Sequence, residues 1–269
     1  MIDVIKPLPV QFISSSARDA VQYWRPGKKR FFLDFKLLTP PNGNTKLNKN
    51  NVPTYGLSLA PHILSGYNVC PKATKDCSDS CLGKISGRSR FTSVQQARIR
   101  KTRLLAIEPE VFISQLLHEL WLCSKKHGLY DWAFRSNVIS DINWSLLVPE
   151  IYTFTVNNYD YTKRMDIFKN KHEDLHITFS YSGYNLSECL DVLDQGGNVA
   201  VVCTNKEQIL KWGKFSFPND SRLFDVVDGD VHDQRYLDPA KSIVLLKPKG
   251  KVLPSPFLVT METISNEKL

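Results

Sequence analysis

From Tyr55 onward, short apolar runs alternate with longer stretches of helical periodicity, which restricts the chain to βα units around a mainly parallel sheet. Strands are predicted at 55–59, 132–136, 159–162, 176–180, 198–202, 223–227 and 243–246, and helices at 93–107, 109–125, 186–194 and 206–212. In the second helix Val111, Phe112, Leu116, Leu120 and Cys123 share one face, so that face packs on the sheet. Six or seven such units in about 200 residues suit a complete or partial TIM-like barrel or an open doubly wound sheet. The expected organisation is one α/β domain over 55–251, after an irregular N-terminal extension (1–54) and before a C-terminal tail (252–269). The extension carries one predicted strand at 30–38 and a basic cluster ending in Lys28, Lys29 and Arg30. Both architectures place chemistry at the carboxyl ends of the strands.

The loop after the first predicted strand holds Cys70, Cys77 and Cys81, half of the six cysteines, in a C-x6-C-x3-C pattern. Six unevenly spread cysteines do not make a disulfide framework, and Met1 to Pro7 lacks the regions of a secretory signal. A reducing, cytoplasmic setting is therefore expected, where clustered thiols are ligands more often than bridges. No apolar run reaches the roughly 18 residues needed to cross a bilayer. A net charge of +8 favours a polyanionic partner, nucleic acid or nucleotide.

Three thiolates leave one position of a tetrahedral metal open. With zinc, His62 or His232 would close a structural site, and water there would make it catalytic. With a [4Fe-4S] cluster, one iron stays free for a substrate or cofactor. The bland alternative is three thiols without metal. Such a trio on the first βα loop resembles the radical S-adenosylmethionine enzymes, although those use C-x3-C-x2-C and a Gly-Gly-Glu motif that this chain lacks.

Other candidates lie at predicted strand ends. Arg88, Arg90, Arg98, Arg100, Lys101 and Arg103 form the densest positive stretch, beginning at a glycine-containing turn suited to phosphate, with Ser93 and Gln96 as a capping box. Arg135, Asn137 and Asp141 follow the second strand and can contact a ligand, Asp141 being equally an N-cap. Asp160 and Lys163 are candidates for proton transfer and Tyr161 for stacking, with an Asp160–Lys163 ion pair as the structural alternative. Ser180 offers a binding hydroxyl on the fourth strand. In the acidic segment 228–238, Asp230 and Asp233 are the favoured reactive acids and Arg235 their partner. Lys247, Lys249 and Lys251 can face a phosphate, whereas Cys123, Cys189 and Cys203 read as buried core.

The segments Gly56-Leu57-Ser58-Leu59-Ala60-Pro61-His62, the Cys70–Cys77–Cys81 loop, Gly87-Arg88 and Ser93-Val94-Gln95 together resemble the bacteriophage gene-88 protein family. The resemblance continues through Asn137, Ser140-Asp141, the 159–163 segment, Asp228-Gly229-Asp230 and Leu237-Asp238-Pro239. It implies a phage-encoded protein working in the host cytoplasm and brings no assigned reaction.

The leading expectation is a metal-dependent enzyme of nucleic-acid or nucleotide metabolism with a [4Fe-4S] cluster, or zinc, on Cys70, Cys77 and Cys81. The catalytic candidates are Asp141, Asp160, Lys163, Asp230 and Asp233; Arg88, Arg135, Asn137, Tyr161 and Ser180 are the substrate contacts. One alternative is a base-exchange enzyme similar to the deazaguanine transglycosylases, with Asp141 and Asp230 as base and nucleophile. A third reading is a non-catalytic nucleic-acid or host-factor binder stapled by a metal.

Overall fold

The computed structural model describes residues 5–31, 33–43, 47–49, 52–85, 87–218, 220–249 and 255–260. Its strands are β1 (Lys6–Pro7), β2 (Leu38–Thr39), β3 (Thr54–Leu57), β4 (Tyr67–Asn68), β5 (Ala133–Arg135), β6 (Asn157–Thr162), β7 (Leu175–Ser180), β8 (Asn198–Cys203), β9 (Lys214–Phe215), β10 (Phe224–Asp228), β11 (Ser242–Leu246) and β12 (Leu258–Val259). Its helices are α1 (Val10–Tyr23), α2 (Lys75–Asp79), α3 (Leu82–Ile85), α4 (Thr92–Ile107), α5 (Pro109–His127), α6 (Trp144–Leu147), α7 (Met165–Lys169), α8 (Leu186–Asp194) and α9 (Lys206–Trp212).

Ten strands form one sheet in the order β2-β3-β5-β6-β7-β8-β11-β10-β9, with β12 also pairing β8. All pairs from β3 to β10 are parallel, and the outer strands β2 and β9 join antiparallel. The chain is thus an α/β protein with a mostly parallel sheet. Among the described residues no pair links the two edges, so the strands seen do not close a barrel. β11 also lies between β8 and β10, which reverses the sequential order at that edge.

The sheet nevertheless curls. Arg135 on β5 meets Asp233, beyond β10, at 2.8 Å, although β6, β7, β8 and β11 separate the two strands. In a flat sheet five strand spacings span about 24 Å, and the residues that follow β10 form a turn rather than an extended arm. The segment carrying Asp233 therefore lies in the hollow of the sheet, where the 3-10 turn Arg235–Leu237 packs on β6 and β7.

Strand alternation divides the sheet chemically. Phe134, Ile177 and Phe179 point to the helix side, where Phe112, Leu116 and Leu120 of α5 contribute to the buried core. Arg135, Tyr159, Tyr161 and His176 occupy the hollow. The predicted strand at 30–38 is mostly absent, because the backbone N–H groups of Leu37 and Leu38 bond the buried Glu119 carboxylate of α5 at 2.8–3.1 Å instead of a neighbouring strand; Phe32 lies outside the described residues. Within the extension the chain instead forms α1, anchored on α5 by the buried stripe Ile13, Ala17 and Ala20.

Candidate functional site

The cysteine loop occupies the carboxyl edge of β3, and local hydrogen bonds set its shape. His62 turns the chain with a positive φ of 49°, and its carbonyl accepts from Val69 N at 3.1 Å. Asn68 Oδ1 then accepts from Cys70 N at 2.9 Å. Thr74 caps α2 by accepting from Cys77 N at 3.1 Å, so Cys77 stands on the first turn of a short helix. Cys81 lies between α2 and α3. Gly83 follows where a side chain has no room, since a Cβ there would run into Ile139 and stand 3.0 Å from Pro61.

That close contact joins the cysteine loop to the loop after β5. Asp141 N donates to Val69 O at 2.9 Å, and the Cys70 thiol points to Ile139 O at 3.5 Å. Asp141 in turn accepts from Thr162 Oγ1 at 2.5 Å and from Lys163 N at 3.2 Å. Lys163 leaves the end of β6 with its ammonium among the thiols, hydrogen-bonded to Cys77 and within the fields of Cys70 and Asp141. Lys163, hydrogen-bonded to Cys77, and Asp141 therefore lie on the same rim as the cysteine loop, within the electrostatic reach of Cys70.

The electrostatics follow from burial. Desolvation pushes the Cys70 thiol up to about 12, against the backbone N–H of His62, and Asp141 and the other two cysteines raise it further. Cys81 is raised for the same reason, opposed by the backbone N–H of Gly83 and by Lys84 and Lys163. Burial lowers Lys163, but Cys77 and Asp141 outweigh it and hold the ammonium above its usual range. Burial raises Asp141 despite its bond from Thr162. His62, lowered by burial and by Lys84, contacts Ser78 at 3.0 Å.

The donor chemistry suits a thiophilic metal, because two of the three sulfurs already accept backbone N–H groups and all three share one electrostatic field. The placement stops short of a closed ligand set: among the described residues no three His, Cys, Asp or Glu side chains are grouped to hold a metal ion. His232 lies against Arg235, whose guanidinium bonds its Nδ1 at 3.1 Å and its carbonyl at 2.6 Å.

The other predicted residues separate into three groups. In the hollow, Arg135 pairs with Asp233 and lies 4.7 Å over the Tyr161 ring, and Tyr159 Oη donates to Asp233 at 3.0 Å. Asp233 is wholly buried and serves as the counter-ion of Arg135. Asp160 alternates with Tyr161, yet its carboxylate still stands 4.0 Å from the Arg135 guanidinium. It accepts from Asn137 N at 2.8 Å and from Ser136, and burial raises it to about 7. Asn137 fastens the β5 loop, donating to Ile142 O at 3.0 Å. The Asp160–Lys163 pair does not form, since these side chains bond different partners.

At the far end, Asp230 bonds Lys206 at 3.0 Å and Lys249 at 3.3 Å, and accepts from Lys247 N at 2.9 Å. Desolvation would raise it, yet these contacts hold it at about 2. Arg235 pairs with Asp238. Lys247 bonds Glu207, and Lys251 lies outside the described residues.

The basic stretch is largely committed to the fold. Arg98 bonds Gly83 O and Ser89 at 3.1 Å, Lys101 bonds Leu37 O at 2.7 Å, Arg103 bonds Ser65 O at 3.0 Å, and Arg100 lies over Phe35. Arg88 and Arg90 remain exposed. Ser93 does not cap α4, whose N-cap is Phe91, and Asn143 rather than Asp141 caps α6. Ser180 gives its carbonyl to Asn185 at 3.0 Å. Cys123, Cys189 and Cys203 are buried as expected. Sequence reasoning missed Glu119 and Lys206, whose only signal is a charge inside an otherwise apolar or turn segment, and reads Asp238 as a turn residue, whereas it is a buried partner of Arg235.

No helix among the described residues is long and apolar enough to cross a membrane. No curated protein and no solved structure matches the chain. The Gene product 88 family model matches residues 36–261, which include the cysteine loop, Asp141 and Lys163, and the chain belongs to that family of phage proteins.

Proposed function

We propose that the chain is a metal-dependent enzyme whose centre is held by Cys70, Cys77 and Cys81 on the carboxyl rim of the sheet. The observation that carries this reading is that one loop holds three cysteines whose charges act on one another, with the Lys163 ammonium from β6 hydrogen-bonded to Cys77. An isolated buried thiol near pKa 12 stays protonated at neutral pH, and a bound cation is the usual means of drawing off that proton. A centre with three thiolate ligands supplies an open position at which a substrate or cofactor is polarised or reduced. Lys163 offsets the negative charge of the thiolates, and Asp141 fixes the loop from which Lys163 emerges.

A nucleotide or nucleic acid is the substrate class this reading favours. The net charge of +8 and the exposed Arg88 and Arg90 support it, although most of the basic stretch is occupied by the fold. A radical-type partial barrel is the finer architecture that would accompany an iron–sulfur centre. The transglycosylase alternative is less favoured, because Asp230 is tied to two lysines and Asp141 to Thr162.

The test is anaerobic purification followed by iron, sulfide and zinc analysis of the wild type and of Cys77→Ser. About one centre per chain, lost in the variant, supports the reading. Metal-free protein from medium supplemented with both metals overturns it.

A further inference from the structure

Beside the cysteine loop lies a cavity of about 360 Å³ that the proposed centre does not use. Val69 and Pro71, which flank Cys70, line it together with Ile142 and Leu147. The N-terminal segment that includes Leu8, which lies before the part of the chain matched by the family, lines it as well. That segment is fixed to the cysteine loop by the parallel pair β1–β4, with Lys6 opposite Tyr67 and Pro7 opposite Asn68. The mouth is apolar and open to water: Ile5 is 49 %, Val10 45 % and Leu146 65 % exposed. Exposed apolar residues gathered at one opening mark a place that binds something.

The charges in the wall are satisfied internally. Arg164 gives Nε and Nη2 to Asp166 at 3.0 and 2.5 Å, and Nη1 to Asp141 O at 3.3 Å. The Asp141 carboxylate is taken by Thr162 and Lys163. A charged ligand would lose its hydration without gaining an unpaired opposite charge, whereas an apolar one gains from burial. The Asn68 amide still offers an N–H to an acceptor. The volume falls in the range of small-molecule sites.

We infer that this cavity binds a small, neutral, largely apolar molecule with a hydrogen-bond-accepting edge, held between the N-terminal segment and the cysteine loop. Its assignment as the substrate site rests on the proposed function; the binding itself does not.

Titration with N-phenyl-1-naphthylamine, a neutral apolar fluorophore, and with its sulfonated analogue tests the inference. The neutral probe is expected to bind the wild-type chain at least tenfold more tightly than the sulfonate. Its affinity should fall at least tenfold in Leu146→Asp and in Ile5→Asp, both at exposed positions, and stay unchanged in Ile107→Asp. Absence of binding, equal affinity in all variants, or preference for the sulfonate overturns the inference. Metal analysis of the same samples separates the two claims: metal without probe binding removes the cavity site, and probe binding without metal removes the metal centre.

Discussion

At the level of single residues, the hollow of the sheet holds titratable groups whose neutral or paired state the fold enforces. His176 is the clearest case. Burial lowers it to about 4, Lys171 and Arg235 add to the shift, and its Nε2 has no hydrogen-bond partner. A folded pKa below the unfolded value of about 6.5 means that the unfolded chain binds the proton more readily. The stability from this group is therefore complete above about pH 6.5 and is lost as pH falls from there to about 4, by roughly 3 kcal/mol. Asp160, raised to about 7, acts in the opposite direction over the same window. Urea unfolding of wild type and His176→Gln at pH 7.5 and 4.5 isolates the histidine, because Asp160 is common to both. The variant should lose less stability on acidification; equal losses would contradict the assignment. The sequence makes part of this legible: period-two alternation separates Asp160 from Tyr161. The partners of Asp233 and Asp230 are not legible there, since a charge in sequence does not say which distant strand supplies its counter-ion.

Among the elements, helices α8 and α9 are legible to the residue, because each has a long apolar stripe bounded by turn residues. Helix α1 is not, because its buried stripe of Ile13, Ala17 and Ala20 is mostly small residues and its exposed face carries Phe12 and Tyr23. The 30–38 segment has strand-like composition, but Glu119 captures its backbone donors. Gly183 shows how an element is positioned by one missing Cβ. Its φ is +86°, and a Cβ there would stand 2.5 Å from the backbone of Pro256, in the segment that leads into β12. Gly183→Ala is expected to cost about 1–3 kcal/mol and to displace β12 from β8. Because Thr204 N donates to Val259 O at 3.1 Å, hydrogen exchange at the Thr204 amide should accelerate in the variant. An unchanged exchange rate with unchanged stability would show that the segment docks independently of this contact.

For the molecule as a whole, a curled, mostly parallel sheet is filled from within by the acidic segment after β10, and the cysteine loop lies on its carboxyl rim. The position of the thiols on that rim follows from the order of predicted strands. The hydrogen bond between Cys77 and Lys163 does not, because it depends on how the β3 and β6 loops fold over the same edge and on the tight passage of Gly83 against Ile139. The central claim is that Cys70, Cys77 and Cys81 act together as ligands. Titration of metal-free protein with Co²⁺ under anaerobic conditions tests it whichever metal is native, because thiolate-to-cobalt charge transfer absorbs in the near ultraviolet. The expected result is stoichiometric uptake with that absorption, weakened in each single Cys→Ser variant and absent in the triple variant. No charge-transfer band, or a band that survives in the triple variant, would contradict the claim.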